Sequence, residues 1–237
     1  MFEILDDIIR DISNGEYRPD EKLPSENNLA FKYNATRHDV RKAYERLTEM
    51  GYIYAVQGKG RFYKSKQSKI ELLLTGDESF TTKMKKRGYN LNTKNIQFVE
   101  LERVPKLREK LGATEKERIY KISRLRILDN EPAALHISYV TDKILKNIRE
   151  DGHRITSMFD YYDSHGFKEF YYKESNLQTL LPTKYEREIL ECPSLVPILI
   201  LETQCFDRET REILEVTKII YRGDRFVCRI SSDTDLK

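Results

Sequence analysis

No run of apolar residues in this 237-residue chain approaches the roughly 18 that a membrane-spanning helix needs, so no membrane partner is expected. The opening segment "MFEILDDIIRDI" is acidic and amphipathic and does not read as a signal peptide. Cysteine is scarce. Cys192, Cys205 and Cys228 are odd in number and far apart, which argues against a zinc site or a disulfide framework. Free core thiols in a reducing cytoplasm are the expectation. There is no P-loop, no Gly-rich dinucleotide motif, no metal-ligand cluster and no convincing nucleophile–base pair. Neither a cofactor nor a metal is therefore expected. Internal repeats and low-complexity segments are missing as well.

What is present is a globular composition, 39% hydrophobic and 34% charged, with length enough for one large domain or two smaller ones. The net charge of +3 hides an asymmetry. Residues 1–31 hold 3 Lys/Arg against 8 Asp/Glu, whereas residues 32–66 hold 9 against 3. A basic surplus confined to one short segment implies an anionic partner for that segment.

The first 15 residues predict a helix, with Phe2, Leu5, Ile8, Ile9 and Ile12 at helical spacing and Gly15 as its stop. Ser25 can cap a second helix carrying Leu29, Ala30 and Tyr33. After the turn "YNA", Thr36 and Asp39 have capping-box spacing at the start of a third. On that helix Val40, Ala43, Tyr44, Leu47 and Met50 share one side, and Arg37, His38, Arg41, Lys42 and Glu45 share the other. Gly51 ends it. "YIYAV" and "RFYK" then read as two strands around the turn "QGKG". Helix, helix, turn, helix and hairpin is the order of a winged helix-turn-helix. Arg37, His38 and Arg41 sit near the helix N-terminus, where a recognition helix reads base edges in the major groove. Gly58 and Gly60 would let the hairpin backbone approach a phosphate closely, with Lys59 adding charge. A solvated basic face beside an ordinary hairpin is the competing reading.

The stretch "LPSENNLAFKYNATRHDVRKAYERLTEMGYIYAVQGKGRFY" resembles the DNA-binding domain of GntR-family bacterial transcription regulators. It shares with them the "LPSE" start, the "TR…VRKA…L…GY" core and the "GKG" wing. The resemblance implies DNA contacts at Ser25, Glu26, Thr36, Arg37, His38 and Arg41, and at the wing tip Gln57, Gly58 and Lys59. Ser25 and Thr36 can equally be helix caps alone. Asp39 and Tyr44 depart from the family's usual residues.

Beyond "KSKQSK" the texture changes to mixed strands and helices. "RIYKISRLRIL" and "AALHISYV" read as strands around "DNEP", and "VPILILETQCF" and "EILEVTKIIYR" as two more around "DRET". "PTKYEREILEC" reads as a helix with a Thr183–Glu186 capping box. Strands and helices without strict alternation predict an α+β domain. Arg124 and Arg126 are two apart and so share a strand face. Two converging guanidinium groups in a half-buried place need an anion, though exposure or ion pairs with Glu215 or Asp207 would also account for them.

From "SFTTKMKKRG" through "SRLRILDNEPAALHISYV" and "TSMFDYY" to "EVTKIIYRGDRF", the chain resembles the UTRA ligand-binding domain of the HutC-like branch of these regulators. That domain shares the chorismate-lyase fold. The resemblance implies an anion held by Arg124, Arg126, Ser157 and Thr81, with Glu215 and Tyr221 facing the rest of the ligand. His136 stands where Glu is frequent and Phe159 where Tyr is, so anion binding carries over better than ligand identity. His136 is expected to titrate near pH 6–7.

The expected organisation is a winged helix-turn-helix over 1–66, a linker over 67–78 and a UTRA domain over 79–237. The expected function is that of a cytoplasmic, homodimeric transcription regulator, a repressor, which binds operator DNA under control of a small anionic metabolite such as a sugar phosphate. A chorismate-lyase-like enzyme is the alternative, and a non-specific nucleoid protein a third. The missing catalytic motifs weigh against the enzyme, for which His136 is a lone candidate base without an identified partner.

Overall fold

The computed structural model describes residues 1–64, 69–73 and 78–229. The elements are α1 (Phe2–Ser13), α2 (Glu26–Lys32), α3 (Arg37–Glu49), β1 (Ile53–Val56), β2 (Gly60–Tyr63), β3 (Ile70–Leu73), α4 (Phe80–Lys86), β4 (Leu91–Leu101) and α5 (Pro105–Lys110). They continue as β5 (Ile119–Leu128), β6 (Glu131–Thr141), α6 (Ile148–Asp151), α7 (Met158–Ser164), β7 (Phe170–Leu180), α8 (Lys184–Leu190), β8 (Ile198–Asp207), β9 (Ile213–Arg222) and β10 (Phe226–Arg229). Two compact units emerge. One holds Met1–Ile70, Leu181–Pro197 and Gly223–Arg225; the other holds Glu71–Leu180, Ile198–Arg222 and, among the described residues, 226–229. The expected linker over 67–78 contains β3, which pairs with β10. Residues 67–68 and 74–77 of that linker, and 230–237 of the expected C-terminal domain, lie outside the described residues.

In the first unit, Ile4, Leu5, Ile8 and Ile12 of α1 meet Leu29 of α2 and Val40, Ala43, Tyr44 and Leu47 of α3 in one apolar cluster, closed by Ile53 and Tyr63. Phe2 does not join it and is 69% exposed. At about 100° per residue Phe2 lies roughly a third of a turn from Ile8 at the centre of the stripe, whereas Ile4 lies close to it. Ser25 and Thr36 each cap their helix by accepting a backbone N–H, from Asn28 at 3.2 Å and from Asp39 at 3.1 Å. The hairpin pairs Ile53 with Tyr63 and Val56 with Gly60. Its tip places Gly58 at φ +74° and Gly60 at φ +118°, conformations that a side chain would strain.

The second unit is built on a six-stranded sheet, β4-β5-β6-β9-β8-β7, antiparallel throughout. β5, β6, β8 and β9 are largely buried, while β7 is exposed over most of its length. α6 and α7 cover part of one sheet face through Ile148, Met158 and Tyr162, which pack with Tyr120, Ile122, Val140 and Phe170. Cys192 and Cys205 are buried, Cys228 is half-buried, and none of the three forms a disulfide.

Candidate functional site

The first candidate site is the surface shared by the starts of α2 and α3 and by the hairpin. Thr36, Arg37, His38, Arg41, Gln57, Gly58 and Lys59 are exposed, as is Ser25. Ser25, Glu26, Arg37, Gly58 and Lys59 line one open concavity of about 360 Å³, and Thr36, His38, Arg41 and Gln57 do not. Glu26 faces two arginines, Arg41 at 3.4 Å and Arg61 at 3.6 Å, so its carboxylate orients cations instead of standing alone. Thr36 donates its hydroxyl to the Asp39 carboxylate at 2.7 Å. This differs from the expected capping box because aspartate, one methylene shorter than glutamate, meets the hydroxyl of the cap residue. That contact, with desolvation opposing it, holds Asp39 below its ordinary carboxylate range.

Sequence reasoning passed over Arg61, which lines the same concavity and lies 5.0 Å from the centre of the Tyr44 ring. The departure at Tyr44 thereby acquires a role. Its ring supports Arg61 and its hydroxyl donates to the Pro24 carbonyl at 2.5 Å. A cation on a strand with no periodic signal could be found only once the hairpin was folded back beside α2.

The second candidate site is a cavity of about 110 Å³ in the second unit. All eight residues expected at a ligand, Thr81, Arg124, Arg126, His136, Ser157, Phe159, Glu215 and Tyr221, line it. They come from α4, β5, β6, α7 and β9, so the fold gathers residues up to 140 positions apart. Ser157 also caps α7, accepting the Asp160 N–H at 3.3 Å.

The two arginines are almost fully buried, at 3% and 4% exposure. Neither forms an ion pair with Glu215 or Asp207. Arg124 donates to the Ser138 hydroxyl at 2.5 Å, and Arg126 to the Thr93 hydroxyl at 2.7 Å and the Thr156 carbonyl at 3.0 Å. The Nε atoms of both remain buried without a hydrogen-bond partner, as do His136 Nε2 and Glu215 Oε2. Burial, reinforced by Arg124, pulls Arg126 down to about 9, so it still carries its charge at neutral pH. Two neighbouring buried cations with unused donors are suited by ordinary electrostatics to take up an anion.

His136 departs from expectation. Burial first, then Arg126 and Arg124, hold its imidazole well below 6.5, so it does not titrate near pH 6–7. Its ring packs edge-on against Phe80 at 4.8 Å and Tyr221 at 5.9 Å between centroids. The unfolded imidazole takes up a proton on acidification that the folded one refuses, so this residue removes stability as pH falls below about 6.5. The thermal midpoint should accordingly drop less between pH 7 and pH 5 in His136→Gln than in the parent protein.

The comparisons with known proteins fall on these two regions. The model of the "Bacterial regulatory proteins, gntR family" matches residues 2–62, and that of the UTRA domain matches residues 86–227. The chain belongs to the GntR family, in its UTRA-bearing branch. The HTH-type transcriptional repressor NagR of Bacillus subtilis (strain 168) is 28% identical over 225 residues, covering 95% of this chain and 91% of that protein. The probable fructoselysine utilization operon transcriptional repressor of Escherichia coli (strain K12) is 23% identical, again over 95% and 91%. PhnF from Mycobacterium smegmatis, a solved structure, superposes with a TM-score of 0.62 over 98% of this chain and 100% of its own, at 19% identity, which shows a shared fold. This GntR-family protein is thus a transcription regulator and not an enzyme, with a DNA-binding domain and a UTRA effector-binding domain.

Proposed function

We propose that this GntR-family regulator is a homodimeric cytoplasmic repressor whose hold on a palindromic operator is set by a phosphorylated small molecule bound between Arg124 and Arg126. The observation that carries this reading is the pair of buried guanidinium groups with unpartnered Nε atoms on one cavity. A phosphate offers more acceptor oxygens than a carboxylate and can also reach the hydroxyls of Thr81 and Ser157. The name of the fructoselysine operon repressor places one relative in the use of a sugar derivative, which supports a phosphorylated sugar here. His136 in place of a carboxylate removes an ionised acceptor, so the non-phosphate end of the ligand differs from that of amino-sugar phosphates. His136→Glu should therefore change ligand preference more than operator affinity.

Arg37 and Arg41 are the base-reading candidates, and Lys59 with the backbone at Gly58 the phosphate contact in this reading. A thermal-shift series of sugar phosphates and small carboxylates tests the ligand class, since a ligand of the native state raises apparent stability. Stabilisation by carboxylates alone would sink the phosphate assignment.

Dimerisation is assigned to the C-terminal domain. The apolar cluster of the N-terminal domain runs from Ile4 to Tyr63 and is used internally. A 1–66 fragment should sediment as a monomer and bind a full palindrome poorly. A stable dimer of that fragment would contradict the assignment.

A further inference from the structure

We infer that Arg61, laid on the ring of Tyr44 beside Glu26, is a further DNA-contact residue of this regulator and grips a backbone phosphate in the concavity between α2 and the hairpin. It rests on the reading that this surface faces DNA, and adds to it a contact that fixes position instead of reading sequence.

The backbone holds Arg61 in place before any DNA arrives. It sits on β2 opposite Ala55, and its carbonyl accepts the Leu23 N–H at 2.9 Å. Two residues on, Tyr63 accepts the Asp20 N–H at 3.0 Å and donates its own to the Glu21 carbonyl at 2.9 Å. The segment leading into α2 is therefore fastened to the second strand of the hairpin. That segment reaches Pro24, whose carbonyl accepts the Tyr44 hydroxyl at 2.5 Å and so ties it to α3 as well. Tyr44 is 1% exposed, and its ring lies 5.0 Å from the Arg61 guanidinium carbon, a floor within cation–π range.

The donors of Arg61 are under-used in that frame. Its Nε is buried without a hydrogen-bond partner. Its Nη2 lies 3.6 Å from Glu26 Oε1, beyond hydrogen-bond distance, and the same carboxylate also faces Arg41 at 3.4 Å. An arginine placed only to pair with Glu26 would close that gap. Lys22, Arg37, Lys59 and Arg61 line the concavity against one carboxylate, that of Glu26, an excess of positive charge that an anion relieves. A phosphate fits Arg61 better than a base edge does. Its side chain keeps 21% of its surface exposed, against 55% for Arg41 on α3, so it stays within the concavity where Arg41 can extend from the surface. A guanidinium steadied on a ring offers a planar fork to two phosphate oxygens.

The test is fluorescence anisotropy of the full chain on two random-sequence duplexes of different base composition, over a series of salt concentrations, with Lys59→Ala as the reference for a phosphate contact. Arg61→Met keeps packing on Tyr44 and drops the charge. Its affinity should fall about tenfold at low salt, equally on both duplexes, and its salt slope by about 0.9. Arg61→Lys should keep the slope and lose only part of the affinity, because it keeps the charge without the planar fork. The loss in Arg61→Met should persist when Glu26→Gln is added. Arg61→Gln replaces the methionine variant if a melting curve shows that one misfolded. An unchanged salt slope in Arg61→Met, a loss confined to one duplex, or a loss that vanishes without the Glu26 carboxylate overturns the assignment. A slope unchanged in Lys59→Ala as well overturns the reading that this surface faces DNA, and the inference with it.

Discussion

Replacing Arg124 and Arg126 together by alanine is expected to abolish the response of operator binding to a phosphorylated ligand. Removing one partner of a buried, hydrogen-bonded charge pair costs about 2–5 kcal/mol of binding, and here both cations go. The double variant should still retard operator DNA, because recognition lies in the other unit. A second consequence separates this site from a structural one. Two buried cations without a carboxylate partner weigh against the ligand-free fold, so Arg124→Met with Arg126→Met should raise its thermal midpoint while phosphate no longer raises it further. Gel-shift titration with and without ligand reads the first effect and a melting curve reads the second. A double variant that responds at the parent's ligand concentration would make the pair structural.

Arg37→Ala should weaken specific operator binding by about 1–3 kcal/mol if the side chain reaches a guanine edge in bidentate fashion. Arg37 is exposed at the first turn of α3 and lines the concavity shared with the wing. Lys59→Ala, at the hairpin tip, should lower affinity evenly across sequences and reduce the salt slope by about 1. The two variants thus differ in what they change, the one specificity and the other electrostatic hold. Fluorescence anisotropy on operator and scrambled duplexes at several salt concentrations distinguishes them. An unchanged ratio of specific to non-specific affinity in Arg37→Ala would show that α3 is not the recognition helix.

Local signals sufficed where they were strong. Ser25, Thr36 and Thr183 cap their helices as spacing predicts, and Thr183 with Glu186 completes a reciprocal box. The buried face of α3 is the apolar stripe of Val40, Ala43, Tyr44 and Leu47. The strands β5, β6, β8 and β9 were legible because a buried strand concentrates apolar and β-branched residues. β4 and β7 were missed. They are the two edges of the sheet, with β7 exposed over most of its length, and "LNTKNIQFVEL" and "FYYKESNLQTL" carry little alternation. β3 was taken for part of a linker because its signal is only four residues, "IELL".

The family, the two candidate sites and the shared strand face of Arg124 and Arg126 are legible in the linear chain, because caps, periodicity and a two-residue spacing are local properties. What those residues meet emerges only on folding. Folding left the two guanidinium groups buried beside hydroxyls and a carbonyl and without a carboxylate, held His136 neutral between aromatic rings and cations, and brought Arg61 over Tyr44. The physical reason is that burial and strand register are set by residues far apart in the chain, and desolvation, which governs charge here, depends on neighbours that no local pattern names.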